Sequence, residues 1–109
     1  MKQGYKAVNS VNEDGFPAGG FAQGTGIDIE FQNGPLGRDG ERIVPNGAFV
    51  EDLIDVVIQR INFYQTAAEG KFRCRENAIA ITKLEEAGLW LDKRTRDREA
   101  RQVEGTHEA

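Results

Sequence analysis

Cysteine and histidine occur once each in these 109 residues, and that scarcity closes several kinds of chemistry at once. A lone Cys74 can form no disulfide within the chain and no multi-cysteine metal site. His107, two residues from the end of the sequence, is the only imidazole to partner a nucleophile or to join a zinc set. Long apolar runs are missing too. No stretch reaches 18 apolar residues, and the opening MKQGYKAVNS lacks the apolar core of a signal peptide. The expectation is a cytosolic protein with no membrane contact. Positive charge is in the minority, with 14 Lys and Arg against 18 Asp and Glu, a net charge of −4 and a pI near 5.0. Such a balance excludes a general DNA binder, which neutralises many phosphates with a basic surface.

What remains is ordinary globular material: 39% hydrophobic and 29% charged residues, too apolar for wholesale disorder. The length allows one domain, 1–109, with a small core. Residues 1–25 are glycine-rich and read as a flexible arm. Strands are expected within 26–45. Ile27-Asp28-Ile29-Glu30-Phe31 alternates apolar and acidic side chains, the mark of a strand with one buried face. Asn33-Gly34-Pro35 ends it, and Arg42-Ile43-Val44 is long enough to pair back before Pro45. The glycine-rich stretch 33–40 lacks the lysine and hydroxyl pair of a phosphate-binding loop and is read as a turn.

The segment 46–101 reads as an antiparallel hairpin of two helices. Asn46 is placed to cap a first helix beginning near Ala48, with Glu51 and Asp52 in the first turn where the helix dipole favours them. Val50, Leu53, Ile54, Val57, Ile58, Ile61 and Tyr64 form one stripe, and Val56, Phe63 and Ala67 a second. Gly70 marks the end region of that helix. The second helix runs from about Arg75 to Arg101, roughly 40 Å at 1.5 Å per residue. Its seam is Ile81, Leu84, Gly88 and Leu91, while Ile79 and Trp90 point elsewhere. Apolar faces left over on both helices point to a homo-oligomer. Residues 102–109 read as a tail. The fold class is α+β: a small antiparallel sheet, then the hairpin.

Beyond Leu91 the same spacing reaches Arg94, Arg98 and Arg101, so arginines succeed leucines on that face. Guanidinium forks one above another can grip phosphate oxygens bidentately. The competing reading is an exposed charged end, with Asp92 paired to Arg96 and Asp97 to Arg101. At the other end of the helix Asn77 follows Phe72, and an amide beside an aromatic can read a nucleobase by edge and face. Both residues also have plain structural readings, as a helix-start amide and a plug for the hairpin end. Tyr64 is a core residue first and a stacking surface second. Asn77 and Arg94 stand about 25 Å apart along one helix. One small ligand touches both ends only if two protomers pack antiparallel. No catalytic constellation, cofactor motif or metal set emerges.

Phe72-Arg-Cys-Arg-Glu-Asn-Ala-Ile-Ala-Ile-Thr-Lys-Leu-Glu-Glu-Ala, Trp90-Leu91, Arg94-Thr95, Asp97-Arg98-Glu99 and Glu104-Gly105-Thr106-His107 carry a resemblance. It continues upstream through Ile29-Glu-Phe-Gln-Asn-Gly-Pro-Leu and Asn46-Gly-Ala-Phe-Val-Glu-Asp-Leu. In these stretches the chain resembles the phage-encoded first-type Thoeris anti-defence sponges, and its hairpin is similar to that of the anti-CBASS sponges. The resemblance implies a non-catalytic protein of the infected host's cytosol that binds cyclic ADP-ribose isomers made by bacterial immune TIR enzymes, with cyclic oligonucleotides as further ligands. It also implies dimers assembled into hexamers, with pockets between protomers. Carried over by position, it assigns Arg94 and Arg98 to the pyrophosphate, Asn77 and an aromatic, Phe72 or Tyr64, to a base, and Arg42 to closing the site. Gly88 departs from the bulky apolar residue the family pattern leads one to expect. An oligomeric phage structural or protein-interaction module with no nucleotide ligand is the alternative.

Overall fold

The computed structural model describes residues 2–37, 42 and 44–101. It contains three strands followed by two helices: β1 (Tyr5–Val11), β2 (Pro17–Gly24), β3 (Ile27–Phe31), α1 (Val50–Gly70) and α2 (Arg75–Ala100). The chain divides into a sheet unit and a helical unit, Val50–Asp97. The α+β class expected from the sequence is the class observed.

The sheet is an antiparallel meander in the order β1-β2-β3. Strand β3 keeps its alternation, with Ile27, Ile29 and Phe31 half-buried and Asp28 and Glu30 exposed. Its partners differ from those expected. The glycine-rich segment is no loose arm, because it supplies β1 and β2. Its glycines act as strand residues where backbones meet. At Gly20, φ is 148° and an added Cβ would run into the Val8 carbonyl oxygen. The β1–β2 turn is organised by Asn12, whose Oδ1 accepts hydrogen bonds from the amides of Asp14 and Phe16 at 2.9 and 3.0 Å.

The expected strand at Arg42 to Val44 does not form at its two described residues. Ile43 lies outside the described residues, as does the tail from 102, and Val44 is 84% exposed. The free edge of β3 is met instead by Ala48. Its amide donates to the Glu30 carbonyl at 2.7 Å, and its carbonyl accepts from Gln32 at 3.0 Å. Asn46 is therefore not a helix cap. Its Oδ1 accepts from the Asn33 amide at 2.8 Å, and its own amide donates to Gln32 Oε1 at 2.8 Å. These bonds hold 46–48 against the strand, so α1 starts two residues later than its apolar pattern suggests.

In α1 the side chains turned inward are Leu53, Ile54, Ile58, Ile61 and Gln65. Val50, Val57 and Tyr64, expected on that stripe, are exposed beside Val56 and Phe63. The helix breaks at Ala67, and Ala68 and Glu69 follow at φ 51° and 59°. In α2 the half-buried residues include Asn77, Ile81, Leu84, Gly88, Leu91, Thr95 and Arg98. Those seven alternate steps of four and three, a heptad seam. No apolar side chain among the described residues is fully buried, and Leu89 and Trp90 stand exposed.

Gly88 has open space where a Cβ would go, with nothing within 4 Å. Replacing it by alanine is expected to stabilise α2 by about 1 kcal/mol, because alanine loses less backbone entropy in a helix. A rise in the urea midpoint for Gly88→Ala checks this. A fall would mean that a neighbouring copy's backbone occupies the space.

Candidate functional site

The charged end of α2 is built as successive helical turns. Strict alternation of four and three along the seam leads from Leu91 to Thr95 and Arg98, not to Arg94. Arg98 is accordingly half-buried and Arg94 exposed. The sequence-derived row is thus split: Arg98 stands at the seam, Arg94 at its flank, and Arg101 beyond the end of the helix, exposed. Arg94 Nη2 lies 3.5 Å from Glu51 Oε1, so the first turn of α1 meets the last turns of α2. Around them Arg96 pairs with Asp92 at 3.2 Å and Lys93 with Asp97 at 2.8 Å.

A solvent-facing pair such as Arg94–Glu51 contributes under about 1 kcal/mol to stability. Its chemical meaning is different: Glu51 competes with any incoming anion for the same guanidinium. Glu51→Gln is expected to leave the melting temperature nearly unchanged and to tighten pyrophosphate binding several-fold. Titration calorimetry on the two proteins measures that difference, and weaker binding by the variant would show that Glu51 orients Arg94 for the anion.

At the hairpin end the turn brings Phe72 out into solvent, with Lys71 Nζ 5.7 Å from the ring centroid. Asn77 is half-buried in the first turn of α2, and among the described residues no hydrogen bond engages its side-chain amide. Such an amide keeps its full edge for a ligand. Tyr64 lies in α1, its ring 5.9 Å from that of Phe63 at 61°. Arg60 covers the Tyr64 ring at 4.8 Å and donates from Nε to the hydroxyl at 3.1 Å. Arg60 escaped the reading of the sequence, although its spacing of four from Tyr64 was there to see. A cleft of about 390 Å³ sits close by, lined by Asn62, Gln65, Thr66, Arg73, Ala78 and Ile81.

A second cleft of about 560 Å³ runs between the helices past Ile54, Ile58, Leu84 and Gly88. None of Arg94, Arg98, Asn77, Phe72 or Tyr64 lines either cleft. Arg42 is exposed and belongs to the sheet unit. Two groups of polar side chains result on α2 and the turn before it, arginines at one end and an amide with an aromatic at the other. Among the described residues no cluster of His, Cys, Asp and Glu could hold a metal ion. No helix among them is long and apolar enough to cross a membrane.

A strand leading into a hairpin of two amphipathic helices, with its polar chemistry at the two ends, defines a hairpin-domain protein. Residues 23–96 match the family model of the Acb2/Tad1 hairpin domain, and the chain belongs to that family. It is 54% identical over 80 residues to Thoeris anti-defense 1 of Bacillus phage SBSphiJ7, an alignment covering 73% of this chain. The chain spans about half of that relative's length, 51%. The family expected from the sequence is the family found.

Proposed function

We propose that this protein is a non-catalytic anti-defence sponge. It binds and sequesters a cyclic ADP-ribose-type signalling nucleotide, glycocyclic ADP-ribose first and cyclic oligonucleotides second, and so blocks Thoeris and CBASS immunity in the cytosol of the infected host. The observation that carries this reading is the pair of half-sites on one hairpin. Arginines four residues apart stand at one end, and an uncommitted amide near an exposed aromatic stands about 25 Å away at the other. Family membership and the likeness to a phage Thoeris anti-defense protein support the same reading.

In the bound state Arg94 and Arg98 take the pyrophosphate, with Arg101 at the rim and Arg42 closing over it. Asn77 reads the edge of a base, and Phe72 or Tyr64 covers its face. The two ends are too far apart for one molecule to bridge within a protomer, so the site forms between copies, in a dimer and then a hexamer. The exposed apolar residues Val56, Phe63, Leu89 and Trp90 suit that assembly.

Affinity rests on charge-assisted hydrogen bonds, each contributing about 1.5–3 kcal/mol. No covalent step is needed. The test is to mix the pure protein with glycocyclic ADP-ribose and cyclic oligonucleotides, remove unbound material, heat-denature the protein and identify what is released. Intact nucleotide supports the sponge. Altered nucleotide would make it an enzyme, and none would make it a structural or protein-interaction module.

A further inference from the structure

Only one side chain among the described residues is buried, and it is a carboxamide. Gln65 is 8% exposed on a seam whose other inward residues are Leu53, Ile54, Ile58 and Ile61. A leucine would fit that pattern and bury more apolar surface. The glutamine instead reaches across the hairpin to backbone. Its Oε1 accepts from the Cys74 amide at 2.9 Å, and its Nε2 donates to the Cys74 carbonyl at 3.1 Å. The two bonds reproduce a peptide pair of a sheet ladder with a side chain on one side.

Cys74 directly precedes α2, and its carbonyl also accepts the first helical bond, from Ala78 at 3.3 Å. Cysteine is a poor helix cap, so Gln65 seats the start of α2 by its backbone. A second strap joins the same place, Arg73 Nε donating to the Gln65 carbonyl at 3.3 Å. Between these anchors the chain passes Ala68 and Glu69 in the left-handed region, which residues with a Cβ adopt only when their surroundings hold them there. Phe72 lies inside the clamped loop and Asn77 three residues past its anchor.

We infer that Gln65 is a positioning residue for ligand recognition, fixing the 67–74 turn so that Phe72 and Asn77 stand ready as a preorganised pair for a nucleobase. Gln65 does not touch the ligand. This rests on the sponge reading and adds to it a residue that acts only on the base-reading half. The two half-sites therefore respond differently to its loss.

The experiment compares the full-length wild type with Gln65→Leu, using calorimetry with glycocyclic ADP-ribose and with inorganic pyrophosphate. Hydrogen exchange at the Cys74 amide and sedimentation are followed in parallel. The variant is expected to keep its assembly, lose protection at Cys74 and bind the cyclic nucleotide at least about tenfold more weakly. Its pyrophosphate affinity is expected to stay within about twofold. Unchanged nucleotide affinity would overturn the inference, and so would a parallel loss for both ligands, which marks a general structural defect. If Gln65→Leu does not fold, Gln65→Met, of similar length and flexibility, is read in the same way. Failure of the wild type itself to take up the nucleotide would sink the sponge reading instead.

Discussion

Replacing Arg94 and Arg98 together by alanine is expected to weaken capture of glycocyclic ADP-ribose by two orders of magnitude or more while leaving the protein folded. On the proposed reading each guanidinium lost removes at least one charge-assisted hydrogen bond to a phosphate oxygen, about 1.5–3 kcal/mol, and each 1.4 kcal/mol is about a factor of ten in Kd. Arg94 is exposed and its pair with Glu51 is solvated, so its loss costs little stability; Arg98 is half-buried on the seam, and circular dichroism of the double variant checks that it stays folded. Arg94→Lys is a sharper control. It keeps the charge but loses the planar fork, so an intermediate loss separates bidentate recognition from simple attraction. If the double alanine variant depletes the nucleotide from solution like the wild type, the anion half-site lies elsewhere.

The second large effect concerns assembly. Leu89→Glu together with Trp90→Glu is expected to hold the chain monomeric and to abolish nucleotide capture with no ligand-contacting residue changed. Both side chains are exposed, Trp90 at 69%. Burying a large apolar side chain yields about 1.5–3 kcal/mol. A twofold interface counts each residue twice, so the pair contributes on the order of 6–12 kcal/mol per dimer, and four carboxylates would have to be desolvated in its place. Sedimentation velocity measures the assembly and heat release the captured ligand. Trp90 is also the only tryptophan, so with the proposed interface its emission is expected to shift to the red on dilution. An unchanged assembly in the variant would place the interface on the Val56 and Phe63 face of α1.

Both helices were legible because their signal is a period. Ile81, Leu84, Gly88 and Leu91 recur at helical spacing and stand half-buried where that spacing puts them. Strand β3 was legible for the corresponding reason, alternation of Ile and Phe with Asp and Glu. Strands β1 and β2 were not, because segments such as Ala7 and Pro17-Ala18-Gly19-Gly20 carry too little apolar contrast to show which face is which. Their register rests on backbone pairing and on glycine at close approaches, and neither leaves a hydrophobic pattern. The same limit misplaced Asn46. A helix cap and a strand-edge clamp call for the same short amide, and the choice depends on Gln32 and Asn33, 14 and 13 residues away.

At the candidate site the residue types were legible and their phase was not. Extending the seam by three from Leu91 favours Arg94, whereas the heptad continues by four and selects Thr95 and Arg98. Gln65 continues the spacing of Ile54, Ile58 and Ile61 but carries no apolar signal. A lone polar residue on an apolar stripe looks like a lapse until its partner is seen to be backbone.

The left-handed step at Ala68 and Glu69 has a consequence for how this chain can change. It works as a gauge block, setting the phase at which α2 departs from α1, so that Glu51 and Arg94 come within 3.5 Å although 43 positions separate them. One residue added to or taken from α2 between Cys74 and Asn77 would turn the rest of the helix by about 100° against that setting. Arg98 and Asn77 would swing off the seam in unison, and every side chain in the hairpin would still be present. Substitutions along the helices are therefore tolerated one at a time, whereas a change of length in the first turn of α2 rewrites the whole face at once.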